Sequence, residues 1–130
     1  MIVITGAAGF IGSCLVSRFN SIQRDDLIIV DDFSNQNKNK NLSNKKYLHQ
    51  IDRNIFPEWL SKNGSKISIV YHIGARTDTV ETNIEIFNSL NLFYSQKIWN
   101  LCADLGIPFI YASSAATYGM GEFGFNDNHE

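Results

Sequence analysis

The chain has 130 residues, enough for one small domain and too few for two. At 44% hydrophobic and 18% charged it matches a folded globule and excludes a disordered segment. A net charge of -2 offers no basic footprint for nucleic acid, and no apolar run approaches the length of a membrane helix.

The first basic residue is Arg18, so the start of the chain lacks the charged opening of a secretory signal, and a cytoplasmic location is expected. Cys14 and Cys102 make no metal-ligand spacing; both sit in helical, apolar stretches and read as buried free thiols.

Met1 to Thr5 is a nearly continuous apolar run, the pattern of a strand buried on both faces of a parallel sheet. A glycine-rich turn follows, and then a helical spacing of Phe10, Ile11, Cys14, Leu15 and Phe19. Leu27 to Val30 is a second apolar strand, ended by Asp31 and Asp32. Ser34 to Lys46, rich in Asn and Lys, reads as a solvated loop. Tyr47 to Ile51 is a short strand candidate. Pro57 suits the first turn of a helix reaching about Lys62, which Asn63-Gly64 stops.

Ile67 to Ile73 is another buried-type strand, and Ile84 to Leu105 a long helical pattern closed by Gly106 and Pro108. Pro108 to Ala112 is the last strand candidate; Gly119 to Glu130 has no clear pattern. Strands alternate with helices, which predicts right-handed βαβ units in a doubly wound parallel α/β sheet, as one dinucleotide-binding domain over 1–130.

The turn reads Gly6-Ala7-Ala8-Gly9-Phe10-Ile11-Gly12, between a buried strand and an amphipathic helix. Gly6 suits a tight backbone turn, Gly9 a close approach to phosphate, and Gly12 close packing of helix on strand. The free N–H groups at the helix start then suit a pyrophosphate. An ordinary strand-to-helix turn is the alternative, made weaker by the right context on both sides.

Asp31 lies 19 residues after Gly12, where a carboxylate accepts hydrogen bonds from an adenosine ribose. That favours NAD, since its charge repels a 2′-phosphate. Lys38 and Arg53 are cations nearby in sequence that offset such a charge, or else ordinary surface charges; both readings stand at this point.

His72-Ile73-Gly74-Ala75-Arg76 ends a buried strand, at the side where open parallel sheets bind ligands. Gly74 and Ala75 are small enough to line a cleft, Arg76 and Thr77 offer contacts to phosphate or sugar, and His72 reads as a hydrogen-bonded strand end. Ala112 to Gly119 is a run of small and hydroxyl residues suited to holding, and relaying a proton from, a sugar hydroxyl.

Together and in this order, T-G-A-A-G-F-I-G, the acidic residue after the second strand, H-I-G-A and S-S-A-A-T-Y-G resemble the extended short-chain dehydrogenase/reductase family of nucleotide-sugar enzymes, the NAD-dependent epimerases and dehydratases. Pro108 to Gly119, with Lys38, Asn41 and Leu42, is most similar to the branch that inverts C6 of an ADP-heptose, a precursor of the lipopolysaccharide inner core. The resemblance implies a Rossmann-type fold and NADP as cofactor, with NAD the alternative. It places the cofactor on Gly6, Gly9, Phe10, Ile11, Gly12, Asp31, Asp32, Lys38, Arg53, Ile73, Gly74, Ala75, Arg76 and Thr77. It further implies Ser114 as the active-site serine, an ADP-heptose nucleotide sugar as substrate, and a homo-oligomer for the full-length member. No nucleic acid, membrane or metal partner is implied.

The family's general base is a Tyr in a Tyr-x-x-x-Lys motif, where the Lys lowers the Tyr pKa. Here Tyr47, Tyr71, Tyr94, Tyr111 and Tyr118 are followed four residues on by Ile51, Ala75, Ile98, Ala115 and Glu122. By the family's spacing the motif falls beyond Glu130. The sequence therefore reads as the amino-terminal portion of a longer enzyme, or the product of a truncated gene, ending before the last strands and the substrate domain and weakly stable or associating if made alone. Where the family often carries two adjacent Asn residues, this chain has Leu90-Asn91. The competing readings are part of another nucleotide-sugar epimerase or 4,6-dehydratase, and an inactive dinucleotide-binding remnant.

Overall fold

The structure is a computed structural model that describes residues 1–77, 80, 82–122 and 124–125. Among the described residues five strands form one sheet: β1 (Ile2–Thr5), β2 (Leu27–Asp31), β3 (His49–Asp52), β4 (Ile69–His72) and β5 (Phe109–Tyr111). Their order is β3-β2-β1-β4-β5 and every pairing is parallel. The order reverses direction at β1: the connections leaving β1 and β4 run to opposite sides, which leaves a crevice at the carboxyl ends of these two paired strands.

The strands are apolar because both faces are covered. Val3, Ile28, Val30 and Val70 point to one face, where Phe56 and Leu60 of α3 (Phe56–Asn63) and Ile98 and Cys102 of α5 (Tyr94–Asp104) meet them. Ile2, Ile4, Leu27 and Ile29 point to the other, against Val16 of α1 (Phe10–Ser21) and Leu42. Phe56 and Leu60 are fully buried, and burying each contributes about 1.5–3 kcal/mol. The doubly wound parallel sheet expected from the strand–helix alternation is therefore the architecture found. No helix among the described residues is long and apolar enough to cross a membrane.

Three local expectations are corrected. In α1 the stripe against the sheet is Gly12, Ser13 and Val16, while Phe10 and Ile11 are 80% and 64% exposed. Close contact at Gly12 sets which side of the helix faces the sheet; only Leu15 and Phe19 of the expected apolar set pack against the core. Cys14 is accordingly exposed, whereas Cys102 is buried as expected and burial pushes its thiol up to about 11.

The second correction is the Asn/Lys stretch, which is helical: α2 (Gln36–Asn39) runs into a 3₁₀ turn at Lys40–Leu42. Polar capping specifies it. Asn35 Oδ1 accepts from the N–H groups of Asn37 (3.0 Å) and Lys38 (3.2 Å), and Asn39 Nδ2 donates to the Phe33 carbonyl at 2.7 Å.

Third, the long helical pattern is α4 (Ile84–Phe87), a π-helical segment at Asn88–Phe93, and α5 in direct succession. The wider turn serves a contact described below. At β5, Ile110 and Tyr111 are about half exposed along the sheet edge, beside a similarly exposed Trp99.

Candidate functional site

A cleft of about 610 Å³ lies at the carboxyl ends of β1, β2 and β4. Its floor is the glycine turn. Gly6 has φ +65°, a left-handed conformation, and a Cβ there would lie 2.6 Å from the Cα of Gly74. A Cβ on Gly12 would lie 2.1 Å from the Gly6 carbonyl oxygen. The turn, the start of α1 and the end of β4 are thus in backbone contact, with no room for side chains between them. Gly9 is the α1 N-cap and supplies no side chain, so the first N–H groups of α1 keep the capacity to meet a ligand.

At the end of β2, Asp31 is 5% exposed. Its Oδ2 accepts from the Ala8 N–H at 2.8 Å and its Oδ1 from the Asp32 N–H at 2.7 Å; Lys38 Nζ donates to the same Oδ1. Asp32 pairs with Arg53 Nη2 at 3.2 Å and accepts from the Ser34 hydroxyl and N–H, which hold its carboxyl below the usual range. Arg53 leaves its Nε buried and without a hydrogen-bond partner. Two cations therefore sit at this end of the cleft, each beside an aspartate.

The opposite wall is the segment after β4. Ile73, Gly74, Ala75, Arg76 and Thr77 line it, and Asn91 clamps it: Asn91 Oδ1 accepts from the Arg76 N–H at 2.6 Å and its Nδ2 donates to the Arg76 carbonyl at 2.9 Å. Asn91 lies in the π-helical segment, whose widened turn carries this contact. Leu90, its neighbour, lines the cleft itself.

Below the cleft, His72 is buried in a polar chain. Its Nδ1 is hydrogen-bonded to Thr5 Oγ1 (2.9 Å) and its Nε2 to Ser95 Oγ (2.8 Å), and the Gly74 N–H donates to Thr5 Oγ1 at 3.1 Å. A neutral ring donates at one nitrogen and accepts at the other, so it fits between two hydroxyls. Burial lowers the ring's pKa to about 4. Because the folded value lies below the ordinary 6.5, the unfolded chain binds the extra proton between about pH 6.5 and 4. Stability from this group is intact above pH 6.5 and declines as pH falls toward 4, by on the order of 3 kcal/mol. Denaturant midpoints at pH 7.5 and 5 should therefore differ more for the natural chain than for His72→Gln; equal differences would sink this assignment.

Every candidate cofactor residue named from the sequence, from Gly6 through Thr77, lines this one cleft. Ser114 does not. It is exposed, and its Oγ accepts from the Ala116 N–H at 3.2 Å, capping the 3₁₀ turn Ala115–Tyr118. Sequence reasoning missed Thr5, Val30, Asn35, Leu90 and Tyr94, which also line the cleft. Tyr94 sits within a long helical pattern and carries no local motif. Its hydroxyl donates to the Arg53 carbonyl at 3.0 Å and burial pushes its phenol above the usual range, so it is held protonated rather than poised as a base.

Comparison with known proteins places this geometry. Residues 2–130 match the model of the NAD dependent epimerase/dehydratase family. An ADP-L-glycero-D-manno-heptose-6-epimerase of Fusobacterium nucleatum is 42% identical over 98% of this chain and 39% of its own length. One of Brachyspira hyodysenteriae is 39% identical over 100% of this chain and 42% of its own. The crystal structure of a UDP-glucuronic acid 4-epimerase from Bacillus cereus in complex with NAD superimposes with a TM-score of 0.73, at 27% identity, over 91% of this chain and 41% of that one. The chain thus spans about two fifths of the length of the curated relatives it matches. With the glycine turn, the acidic end of β2 and the small-residue end of β4 all meeting in one crevice, and with a family match over nearly the whole chain, the protein belongs to the NAD dependent epimerase/dehydratase family.

Proposed function

We propose that this chain is the cofactor-binding portion of an ADP-L-glycero-D-manno-heptose 6-epimerase, and that residues 1–130 form its incomplete dinucleotide-binding domain with NADP as the cofactor. The observation that carries it is the convergence in one cleft of the glycine turn, Asp31, Lys38, Arg53 and the segment after β4. The relatives at 42% and 39% identity support the heptose reading.

The residues fit the group. The turn between Gly6 and Gly12 has no space for a Cβ, so backbone N–H groups approach a pyrophosphate without side chains in the way. The oxygens of Asp31 already serve Ala8, Asp32 and Lys38, which makes it a poor choice as the main ribose ligand. Lys38 and Arg53, the latter with an unpartnered buried Nε, suit a 2′-phosphate and favour NADP over NAD. Ile73 to Thr77 form the wall toward the remaining part of the dinucleotide.

When bound, NADP supplies the hydride acceptor and donor for transient oxidation and reduction at C6 of the heptose, which inverts the stereocentre with no net redox change. This chain's residues bind and orient; Ser114 is the residue proposed to hydrogen-bond the reacting hydroxyl. No tyrosine here is followed four residues on by a lysine, and Tyr94 is held protonated, which supports the reading that the general base is not among these residues. Turnover of ADP-heptose followed by proton NMR tests the reading. The 130-residue chain with NADP is expected to leave C6 unchanged, and a chain extended through the downstream reading frame to invert it. Inversion by the 130 residues alone, or by neither, would overturn it.

A further inference from the structure

The middle of the glycine turn is held at both of its polar groups by side chains. Ala8 is fully buried. Its N–H donates to Asp31 Oδ2 at 2.8 Å, and its carbonyl accepts from Asn41 Nδ2 at 2.9 Å. A buried residue with no strand or helix partner needs both its N–H and its carbonyl bonded from elsewhere, and leaving either group unsatisfied is unfavourable. Asn41 is brought there by the 3₁₀ turn after α2, which is anchored on the same face of the sheet by buried Leu42, a core neighbour of Ala7 and Ala8. Asp31 fixes the Ala7–Ala8 peptide plane and Asn41 the Ala8–Gly9 plane that follows it. The Gly9 N–H in that second plane donates to the Gly6 carbonyl at 3.0 Å, so the pair sets the direction in which the next residues, Phe10 and Ile11, present their N–H groups.

We propose that Asn41 is a positioning residue of the glycine turn: it touches no ligand, and it acts by holding the Ala8 carbonyl so that the following N–H groups face the cleft. Its relevance to a bound cofactor rests on the dinucleotide reading above. The proposal differs from a role in the 2′-phosphate end, because the pyrophosphate is common to NAD and NADP. Loss of Asn41 then weakens both cofactors by the same factor, whereas loss of Lys38 or Arg53 weakens NADP far more than NAD.

The test compares Asn41→Ala, the near-isosteric Asn41→Asp, which removes the donor but keeps the shape, and Asn37→Ala, an exposed change in the neighbouring turn. In the ligand-free chain, amide hydrogen exchange at Ala8 and Gly9 is expected to quicken about five-fold in both Asn41 variants, as for loss of one hydrogen bond, and to stay unchanged in Asn37→Ala. General destabilisation would instead quicken exchange throughout the sheet. Calorimetric affinities for NADP and NAD should fall together, by about the same five-fold factor. Unchanged exchange at Ala8 and Gly9, an Asn41→Asp variant that behaves as the natural chain, or a fall confined to NADP would overturn the proposal. If the natural chain binds neither cofactor, the dinucleotide reading fails while the exchange experiment still decides the role of Asn41.

Discussion

Gly12→Ala is expected to lower the stability of the chain by about 3 kcal/mol and its melting temperature by about 10 °C. The added methyl would sit 2.1 Å from the Gly6 carbonyl oxygen, a backbone atom that cannot rotate aside. Relief requires α1 to move off the turn. That displaces Ser13 and Val16 from the sheet and separates Gly6 from Gly74, since all of these meet at one point. Binding of either dinucleotide should fall along with stability, because the N–H groups at the helix start move with the helix. Thermal melts with and without cofactor measure both. A variant within 1 °C or so of the natural chain would show that the turn tolerates a side chain and that its tight packing is not required. Gly106 is the control: a Cβ there meets nothing within 4 Å, although its φ of +66° still makes Ala mildly unfavourable.

The second large effect concerns cofactor choice. The double variant Lys38→Ala, Arg53→Ala should weaken NADP by about 100-fold and NAD by less than about three-fold. The asymmetry follows from charge. Both cations stand beside aspartates, Lys38 against Asp31 and Arg53 against Asp32, so their net field is small for a neutral ribose. A 2′-phosphate brings charge that only the cations can meet, and without them it faces two carboxylates. Equal losses for the two cofactors would place Lys38 and Arg53 in a structural role. A preference for NAD in the natural chain would return Asp31 to the role of ribose ligand.

How much of this was legible in the sequence depended on whether apolar periodicity or polar detail decides an element. The strands and the long helices are decided by burial, so Met1 to Thr5, Leu27 to Val30 and Ile67 to Ile73 point directly to β1, β2 and β4 within two residues at their ends. The glycine turn was legible because backbone contact demands glycine at fixed positions. The helical turns over 36–42 were not, because Asn35, Asn39 and Asn41 specify them through hydrogen bonds that no spacing of apolar residues reports. Phe10 and Ile11 look like core and are exposed, since Gly12 fixes the contact face of α1. Leu90, in the π-helical segment, and Tyr94, at the start of α5, line the cleft, and the π-helical turn between α4 and α5 has no sequence signature. Ser114 was named by resemblance, and its place outside the cleft lining reflects its capping of the turn after β5.

Among the described residues β5 is an outer strand of the sheet, and with Ile110, Tyr111 and Trp99 half exposed it offers a surface for self-association. Samples for binding work should therefore be checked by sedimentation at the concentration used.

The central claim is that the cleft holds a nicotinamide dinucleotide, and calorimetric titration of the purified 130-residue chain with NADP and with NAD tests it most directly. Saturable binding of both is expected, tighter for NADP, with the heat lost in Gly12→Ala. Absence of saturable binding for either cofactor, in a chain shown to be folded by its amide exchange, would contradict the account.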